Sequence, residues 1–324
     1  MTKTAPSKGF ELCWTEYQAI GLHASVLQAY HHWSADELLA AQALGAVRVN
    51  DVVQGADMAL QPGDRVCVYL SEHQEDAVDT GWHVLWQRDD VMAVHKPAGL
   101  PVSRTTRNLF NTLISLVRRD TKYKEAHLLH RLDAETSGIV LLAKNGWADK
   151  RWKKHLDRLL QRKVYHALVW GNPAWDEHLC ETWLAEQQNS LIRSRMVVTT
   201  EQDENAVHAP KWSRTQFRVL KRFGSYSLLE CELFSGRKHQ IRAQLAHLGY
   251  PIIGDKIYSH DGAFYLKRLQ QDLTTDDLAV LGAPHQLLHA HFVQLQLGKD
   301  EQAVTDTEYP PAWQPYLIAA PTAD

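Results

Sequence analysis

Cysteine is scarce in this chain of 324 residues, and the spacing of the few cysteines excludes some classes of protein. The four stand far apart, and no two form a Cys-x-x-Cys pair: Cys13, Cys67, Cys180 and Cys231. Structural zinc sites and small secreted domains use closely spaced, paired cysteines. The sequence therefore argues against a zinc site and against a disulfide framework, and it favours a reducing cytoplasm.

Long apolar runs are also missing. No segment approaches the 18 or so consecutive apolar residues of a transmembrane helix. Residues 1–7 lack the apolar core of a secretory signal. There is no G-x-G-x-x-G pattern and no phosphate-binding loop. We therefore expect a cytoplasmic protein that has no membrane partner and no nucleotide cofactor.

A strong positive charge is absent as well, since the net charge is −3. The charges are nevertheless segregated, with acids gathered at 72–79, 201–204 and 300–308. The basic residues form two stretches: Arg104, Arg107, Arg118, Arg119, Lys122 and Lys124, then Lys150, Arg151, Lys153, Lys154, Arg158, Arg162 and Lys163. Such segregation permits a basic groove on a mildly acidic protein. The alternative is that both stretches are solvated helix faces.

The order of predicted elements indicates two domains and a tail. Residues 1–80 form a small α/β module with a helix at 34–45, where Ser34 and Glu37 make a capping box. A larger domain at 86–316 and a tail at 317–324 follow. The predicted helices are 111–119, 148–160 and 240–248, and the strands are 164–170, 217–220, 226–233 and 287–297. Because these do not alternate strictly, we predict an α+β fold with a mixed, mostly antiparallel central sheet and flanking helices.

The segment 130–138 contains a carboxylate, that of Asp133, at a position that apolar packing does not explain. Asp133 precedes a Thr-Ser-Gly turn and the apolar run 139–143. Asp is poor in strands and is seldom buried without a partner. It could be a nucleophile, a general base, a metal ligand or a salt-bridge partner. Glu135 is the only acid nearby, so we expect no metal site. A nucleophile would need a nearby cation to stay ionised.

Two further segments supply candidate partners. Residues 236–242 form a turn and the basic start of a helix, which favours anions. Arg237 and Arg242 stand there. In the strand 163–171, Tyr165 shares a face with Ala167 and Val169. An inward Tyr on a strand is usually a core residue whose hydroxyl finds a partner.

These segments resemble, in order, the motifs of the RluA-type pseudouridine synthases. The stretch 130–138 is similar to the H-R-L-D-x-x-T-S-G motif of that family. The other similar segments are 96–102 (K-P-x-G-x-x-V), 163–171 (K-x-Y-x-A-x-V-x-G), 236–242 (G-R-x-H-Q-I-R), 249–255 (G-x-P-I-x-G-D) and 288–290 (L-H-A). The resemblance spans residues 88–313. It departs mildly at Ser235, Gln244 and Ser259.

The resemblance implies an isomerase that turns uridine in RNA into pseudouridine. The uracil is detached at nitrogen, turned and rejoined through carbon 5, so no cofactor is expected. Asp133 would be the nucleophile, which attacks either the sugar or the base. Tyr165 would lie against the uracil and assist loss of the proton at carbon 5, and Arg242 would pair with Asp133. Substrate would be bound by Arg131, His130, Thr136, Leu233, Arg237, His239, Gln240 and Lys96.

The partner implied is RNA, either ribosomal large-subunit RNA or tRNA, and we expect a monomer. Residues 45–50 and 63–66 resemble a small RNA-binding module of a ribosomal small-subunit protein. That module has basic residues on its first helix, whereas residues 21–27 have none.

Two other functions fit parts of the pattern. A non-catalytic RNA-binding protein could use the same scaffold, but it would have no need of Asp133, Tyr165 and Arg242 together. A hydrolase of glycosidic bonds would need a second carboxylate, and Glu135 is the local candidate.

Overall fold

The computed structural model describes residues 9–30, 33–71, 75–105 and 108–318. Arg107, residues 72–74 of the acidic stretch and residues 319–324 of the predicted tail lie outside the described residues. The chain divides into two compact units, one of residues 1–80 with 103–120 and one of residues 81–102 with 121–324. The segment 103–120 thus packs with the first unit, although it lies inside the predicted range 86–316.

The described residues of the first unit form a four-stranded sheet, a two-stranded sheet and three helices. Its elements are β1 (Phe10–Thr15), β2 (Ile20–Gly21), α1 (Leu22–Ala29), α2 (Ala35–Ala43), β3 (Val47–Val49), β4 (Val52–Val53), β5 (Ala59–Leu60), β6 (Arg65–Leu70) and α3 (Leu113–Asp120). The larger sheet has the order β1-β6-β3-β4, and β2 pairs with β5. The capping box of α2 is confirmed, since the Glu37 amide donates to Ser34 Oγ and the Ser34 amide donates to the Glu37 carboxylate.

The sequence argument against a disulfide framework does not hold for two of the four cysteines. Cys13 and Cys67 lie opposite each other on the antiparallel strands β1 and β6, and they form a disulfide with their Cα atoms 4.2 Å apart. The two cysteines are 54 positions apart in the sequence, so their proximity becomes apparent only from the pairing of the two strands. Cys180 and Cys231 are buried and free.

The second unit is built on one large mixed sheet of eleven strands. They are β7 (His83–Arg88), β8 (Val91–Lys96), β9 (His127–Leu128), β10 (Ser137–Ala143), β11 (Leu160–Trp170), β12 (Glu177–Glu186), β13 (Met196–Thr199), β14 (Lys211–Phe223), β15 (Tyr226–Leu233), β16 (Leu288–Leu297) and β17 (Asp300–Thr305). The order is β13-β12-β14-β15-β11-β16-β10-β8-β7, with β17 on β16 and β9 on β10. Among the strands that the structure describes, β10 and β16 are the one pair in parallel, so the predicted mixed, mostly antiparallel α+β fold is confirmed.

Six helices accompany the sheet in the described part of this unit. They are α4 (Gly146–Lys153), α5 (Leu156–Leu159), α6 (Gln240–His247), α7 (Ala263–Arg268), α8 (Thr275–Leu281) and α9 (Gln314–Ile318). The single helix predicted over 148–160 is wrong, because the chain leaves helical geometry at His155 (φ −127°, ψ 34°) and β11 already begins at Leu160. Within the residues that the structure describes, no helix is long and apolar enough to cross a membrane.

One face of the sheet is covered by α6. Ile241 and Leu245 of this helix pack on Ala167, Phe217 and Leu229, which come from three neighbouring strands. Every residue of β10 and of β8 is buried, as in strands covered on both faces. The start of α6 and the start of β10 therefore lie against a rigid sheet, and these two places hold the site.

Candidate active site

The turn before β10 is fixed by its neighbours. The Thr136 amide donates to the Asp133 carbonyl at 3.1 Å, which closes the turn. The Thr136 hydroxyl accepts from Gln286 Nε2 at 2.6 Å. The Gly99 amide donates to the Ala134 carbonyl at 2.9 Å. These bonds hold the carboxylate of Asp133 in one place.

A buried arginine joins two carboxylates. Arg242 donates from Nη1 to Asp133 Oδ2 at 2.7 Å. Its Nε and Nη2 donate to the two oxygens of Asp255 at 2.7 and 2.9 Å. Asp255 is fully buried, and it also accepts from the amides of Ile257 and Tyr258. The bidentate pair with Asp255 thus aims the remaining nitrogen of Arg242 at Asp133.

The charge of Arg242 decides the ionisation of Asp133. Burial would raise the pKa of Asp133, but the guanidinium of Arg242 and, more weakly, the ring of His239 bring that pKa below its ordinary value. Burial opposes the charge on Arg242 as well, yet Asp255 and Asp133 together raise the pKa of this arginine. Asp133 is therefore a carboxylate at neutral pH, as a nucleophile requires.

His239 is the second group that faces Asp133. Its backbone is left-handed, with φ 54°, at the residue before α6. The Met196 amide donates to the Tyr258 hydroxyl at 2.8 Å, and that hydroxyl lies 3.1 Å from His239 Nδ1. The other ring nitrogen, Nε2, lies 3.7 Å from Asp133 Oδ2. Burial and the charge of Arg242 lower the pKa of His239 to about 4, so the ring is neutral.

Tyr165 lies in the middle of the sheet. It stands on β11, opposite Cys231 of β15 and Ala290 of β16. Burial and the charge of Asp133 raise the pKa of Tyr165. Its hydroxyl is therefore protonated beside an ionised carboxylate.

These side chains line one open pocket, whose empty space is about 390 Å³ when its mouth is included. Nine of the eleven site residues predicted from sequence line it. The full lining is Arg131, Leu132, Asp133, Thr136, Tyr165, Leu233, Arg237, His239, Gln240, Ile241, Arg242 and Leu288.

Comparison with known proteins identifies the family. A family model described as RNA pseudouridylate synthase matches residues 90–247. The chain is 31% identical to the uncharacterized RNA pseudouridine synthase YlyB of Bacillus subtilis over 226 residues, which are 66% of this chain and 71% of that protein. The chain belongs to the RluA-type RNA pseudouridine synthases. It is therefore an RNA uridine isomerase, and the resemblance seen in its motifs is confirmed.

Other relatives of this pseudouridine synthase carry more specific names. It is 28% identical to ribosomal large subunit pseudouridine synthase D of Nitrosomonas europaea, over 85% of this chain and 76% of that protein. It is 30% identical to the mitochondrial tRNA pseudouridine(32) synthase of Saccharomyces cerevisiae, over 67% of this chain and 46% of that protein. The structure of human RNA pseudouridylate synthase domain containing 4 shares its fold, with a TM-score of 0.54 at 23% identity over 74% of this chain and 94% of that chain.

The two predicted site residues outside the pocket lining are Lys96 and His130. Lys96 is fully buried, and its ammonium donates to the carbonyls of Pro97, Leu100 and Ala134 at 2.8–2.9 Å. Burial lowers its pKa to about 7. Because all three donors are occupied, the prediction that Lys96 contacts RNA is corrected here: it ties two loops of this synthase together behind Asp133.

His130 also faces the protein. Its Nε2 accepts from the Leu141 amide at 3.0 Å, which joins the ring to β10. Burial and the charge of Lys163 lower the pKa of His130 to about 4, so the ring is neutral and accepts this bond. The residue orients the start of the motif.

Two basic side chains of the pocket lining, those of Arg131 and Arg237, are exposed. Lys163 is half-buried and lies near Arg237. In the part of the chain that the structure describes, none of the three has an acidic partner within ion-pairing distance. Burial and the charge of Arg237 lower the pKa of Lys163. Lys163 was not among the predicted site residues, although it opens the K-x-Y motif that contains Tyr165.

Glu135 does not act as a second carboxylate of the pocket. It pairs with Lys256 at 2.8 Å and Arg268 at 3.4 Å. Burial would raise the pKa of Glu135, but Lys256 and the hydrogen bond from His285 hold that pKa well below the usual range. It therefore cannot supply the proton that a glycosidic hydrolase needs.

Among the described residues, the one group with metal-ligand spacing is Glu11, Cys13 and Cys67, and the disulfide occupies both sulfurs.

Proposed function

We propose that this synthase isomerises specific uridines of ribosomal RNA or tRNA, with Asp133 as the nucleophile. The observation that carries the proposal is the ionised Asp133 in the pocket, held by Arg242 at 2.7 Å beside a protonated Tyr165. The names of the bacterial and yeast relatives support the two RNA classes, ribosomal large-subunit RNA and tRNA.

The chemistry conserves atoms and needs no redox partner. If Asp133 attacks the sugar, its oxygen bonds to the anomeric carbon as the bond from that carbon to nitrogen 1 breaks, as in a retaining glycosidase. The uracil turns, its carbon 5 displaces the carboxylate, carbon 5 loses its proton and nitrogen 1 gains one. If Asp133 attacks the base, the net exchange is the same. Tyr165 lies against the uracil in both routes, and its protonated hydroxyl can relay the proton that carbon 5 releases.

The surrounding side chains fit a nucleotide turned out of its helix. A target base must leave the stack to reach such a pocket. Leu233 and Leu288 supply apolar lining for the uracil, and the exposed side chains of Arg131 and Arg237 offer cations to its phosphates. An unpaired loop is the favoured target, since its bases turn out at lower cost.

The decisive assay is release of tritium from RNA labelled at carbon 5 of uracil. The wild type should release tritium and leave the RNA chain intact. The Asp133→Asn variant should release none, while its melting temperature and its RNA affinity stay near those of the wild type. Turnover by this variant would end the proposal. A hydrolase would release free base instead, and a non-catalytic binder would release nothing.

The RNA target is decided in cells. Pseudouridines mapped in ribosomal RNA and in tRNA, with and without this chain, should show positions that depend on it and on Asp133.

We also propose that the enzyme is a cytoplasmic monomer that uses no cofactor. Cell fractionation tests the location, which matters because the yeast relative is by name mitochondrial. Light scattering of the purified protein tests the oligomeric state.

A further inference from the structure

An exposed tryptophan stands among cations on the outer face of α4. Trp147, Lys150, Arg151 and Lys154 follow the spacing i, i+3, i+4 and i+7, which places them on one face of a helix. We call these four residues the Trp147 face. The opposite side of α4 carries its buried residues, Ala148 and Trp152. The Trp147 side chain is 65% exposed, although an aromatic ring of this size is usually buried.

The cations of this face are mostly unpaired. The Arg151 guanidinium lies 5.3 Å from the centre of the Trp147 ring and 3.7 Å from Asp90 Oδ2. Lys150 and Lys154 are exposed, and within the described residues neither has an acid in ion-pairing range. Lys153, which lies off this face, is the one that pairs with Asp149. The acid of α4 therefore does not neutralise the Trp147 face.

This combination has the chemistry of a single-stranded RNA contact. Every base presents an aromatic face that can stack on an exposed ring, and cations beside the ring neutralise the phosphates. We propose that an unpaired stretch of the substrate RNA, outside the pocket, stacks a base on Trp147 and sets its phosphates against Lys150, Arg151 and Lys154. The proposal rests on the RNA activity described above and extends it to a second contact.

The contact lies well apart from the pocket along the chain. The seven residues of β10 separate the turn that carries Asp133 from the loop that starts α4. An extended strand rises about 3.3 Å per residue, so β10 alone spans roughly 20 Å. At the rise of about 3.4 Å per stacked nucleotide, that length corresponds to roughly six nucleotides. The Trp147 face would thus bind RNA that flanks the target uridine, not the target itself.

The test compares two RNA probes, a single-stranded 20-residue oligouridine and a 20-base-pair RNA duplex, by fluorescence anisotropy. Trp147→Ala should weaken binding of the single strand by about tenfold, because base stacking on an aromatic ring is lost. It should leave duplex affinity unchanged, because paired bases offer no face. Trp147→Phe keeps a ring and should retain most of the affinity. Equal melting temperatures will show that the variants are folded.

The charges are tested by salt dependence. Lys150→Ala and Lys154→Ala should each weaken both probes and reduce the slope of log affinity against log salt by about 0.7 for the single strand. Lys221→Ala, an exposed lysine of β14, is the matched control and should change neither. Unchanged single-strand binding by Trp147→Ala, or equal effects of Lys150→Ala and Lys221→Ala, would overturn the inference. Tritium release is measured separately, so an active enzyme with an inert Trp147 face would refute this contact alone.

Discussion

At the scale of single residues, the site depends on how Arg242 is shared. Asp255 takes two of its nitrogens and Asp133 takes the third. Asp255 is fully buried, and the Arg242 side chain is only 7% exposed. A buried ion pair that loses one partner leaves an uncompensated charge, which is strongly destabilising. Arg242 therefore has two separable effects, one on the pKa of Asp133 and one on the stability of the fold.

Arg242→Met should separate these effects. Without the cation, burial of Asp133 acts unopposed and its pKa rises. As the proposed nucleophile, Asp133 would react in its ionised form, so activity should be lost at a higher pH as the pH falls, and the acid limb of kcat/KM should move upward. The unpaired Asp255 should also lower the free energy of unfolding by about 3–5 kcal/mol. Tritium-release rates over a range of pH, together with urea unfolding, measure both effects.

The control is the double variant Arg242→Met with Asp255→Asn. It removes the orphaned carboxylate, so it should recover much of the lost stability while the acid limb stays displaced. A pH profile of Arg242→Met that matches the wild type would show that the 2.7 Å pair does not set the ionisation of Asp133.

The sequence could predict the pair of Asp133 and Arg242, but not all of the residues that support it. Asp133 and Arg242 were paired across 109 residues because each lies in a recognised motif. Asp255 ends a quoted motif, yet its role as the anchor of Arg242 depends on how α6 packs beside the following loop. The contact between the Tyr258 hydroxyl and His239 also forms only when the chain folds, so the sequence does not show it. Lys96 shows the opposite case: it was expected to bind the substrate, but its full burial, which the sequence motif does not reveal, directs its ammonium to backbone carbonyls.

At the scale of elements, the parallel pair β10–β16 positions the turn of Asp133. Ser137 pairs with His289 and Gly138 with Ala290. Gly138 has φ 104°, which residues with a side chain rarely adopt. A Cβ there would lie 2.6 Å from the Ala290 backbone nitrogen. Only glycine lets the two strands approach this closely.

Gly138→Ala should therefore weaken this pairing. Backbone strain of about 1–2 kcal/mol and overpacking of about 1–3 kcal/mol predict a total loss of about 2–5 kcal/mol in unfolding free energy. The displaced turn should also lower kcat. Gly146→Ala is the matched control, since the nearest atom to its added Cβ would be His127 Nε2 at 4.0 Å. It should be neutral or slightly stabilising in α4. Equal urea midpoints for the two variants would contradict the close approach.

Local signals predicted some elements well and others poorly. The capping box specified the start of α2, because Ser34 and Glu37 bond each other's backbone without help from the rest of the chain. The predicted helix at 148–160 forms two short helices instead, because the chain leaves helical geometry at His155, and Leu160 already pairs with Leu295 of β16 as the first residue of β11. Likewise, β12 and β13 were not predicted, since the pairing that defines them is non-local.

At the scale of the whole molecule, the chain has two units, each with its own apolar cluster. None of the residues that line the pocket belongs to the first unit. The Cys13–Cys67 disulfide lies within that unit and joins two strands of its sheet. Two of the basic residues at 104–124 serve the unit itself: Arg104 donates to the Cys13 carbonyl and the Arg119 guanidinium lies 3.6 Å above the Phe110 ring. The stability of this unit and the chemistry of the pocket are thus expected to separate.

Replacing both cysteines, as Cys13→Ser with Cys67→Ser, tests that separation. A cross-link across 54 residues restricts the unfolded chain, and its loss should lower the free energy of unfolding by about 4 kcal/mol. Hydrogen exchange should quicken at the amides of β1 and β6, while those of β10, β11 and β16 keep their protection. Tritium release should stay near the wild-type rate, and wild type treated with dithiothreitol should behave like the variant. If the amides of β10 lost as much protection from exchange as those of β1 and β6, the two units would unfold together. The sheet of the second unit would then be no more stable than the first unit.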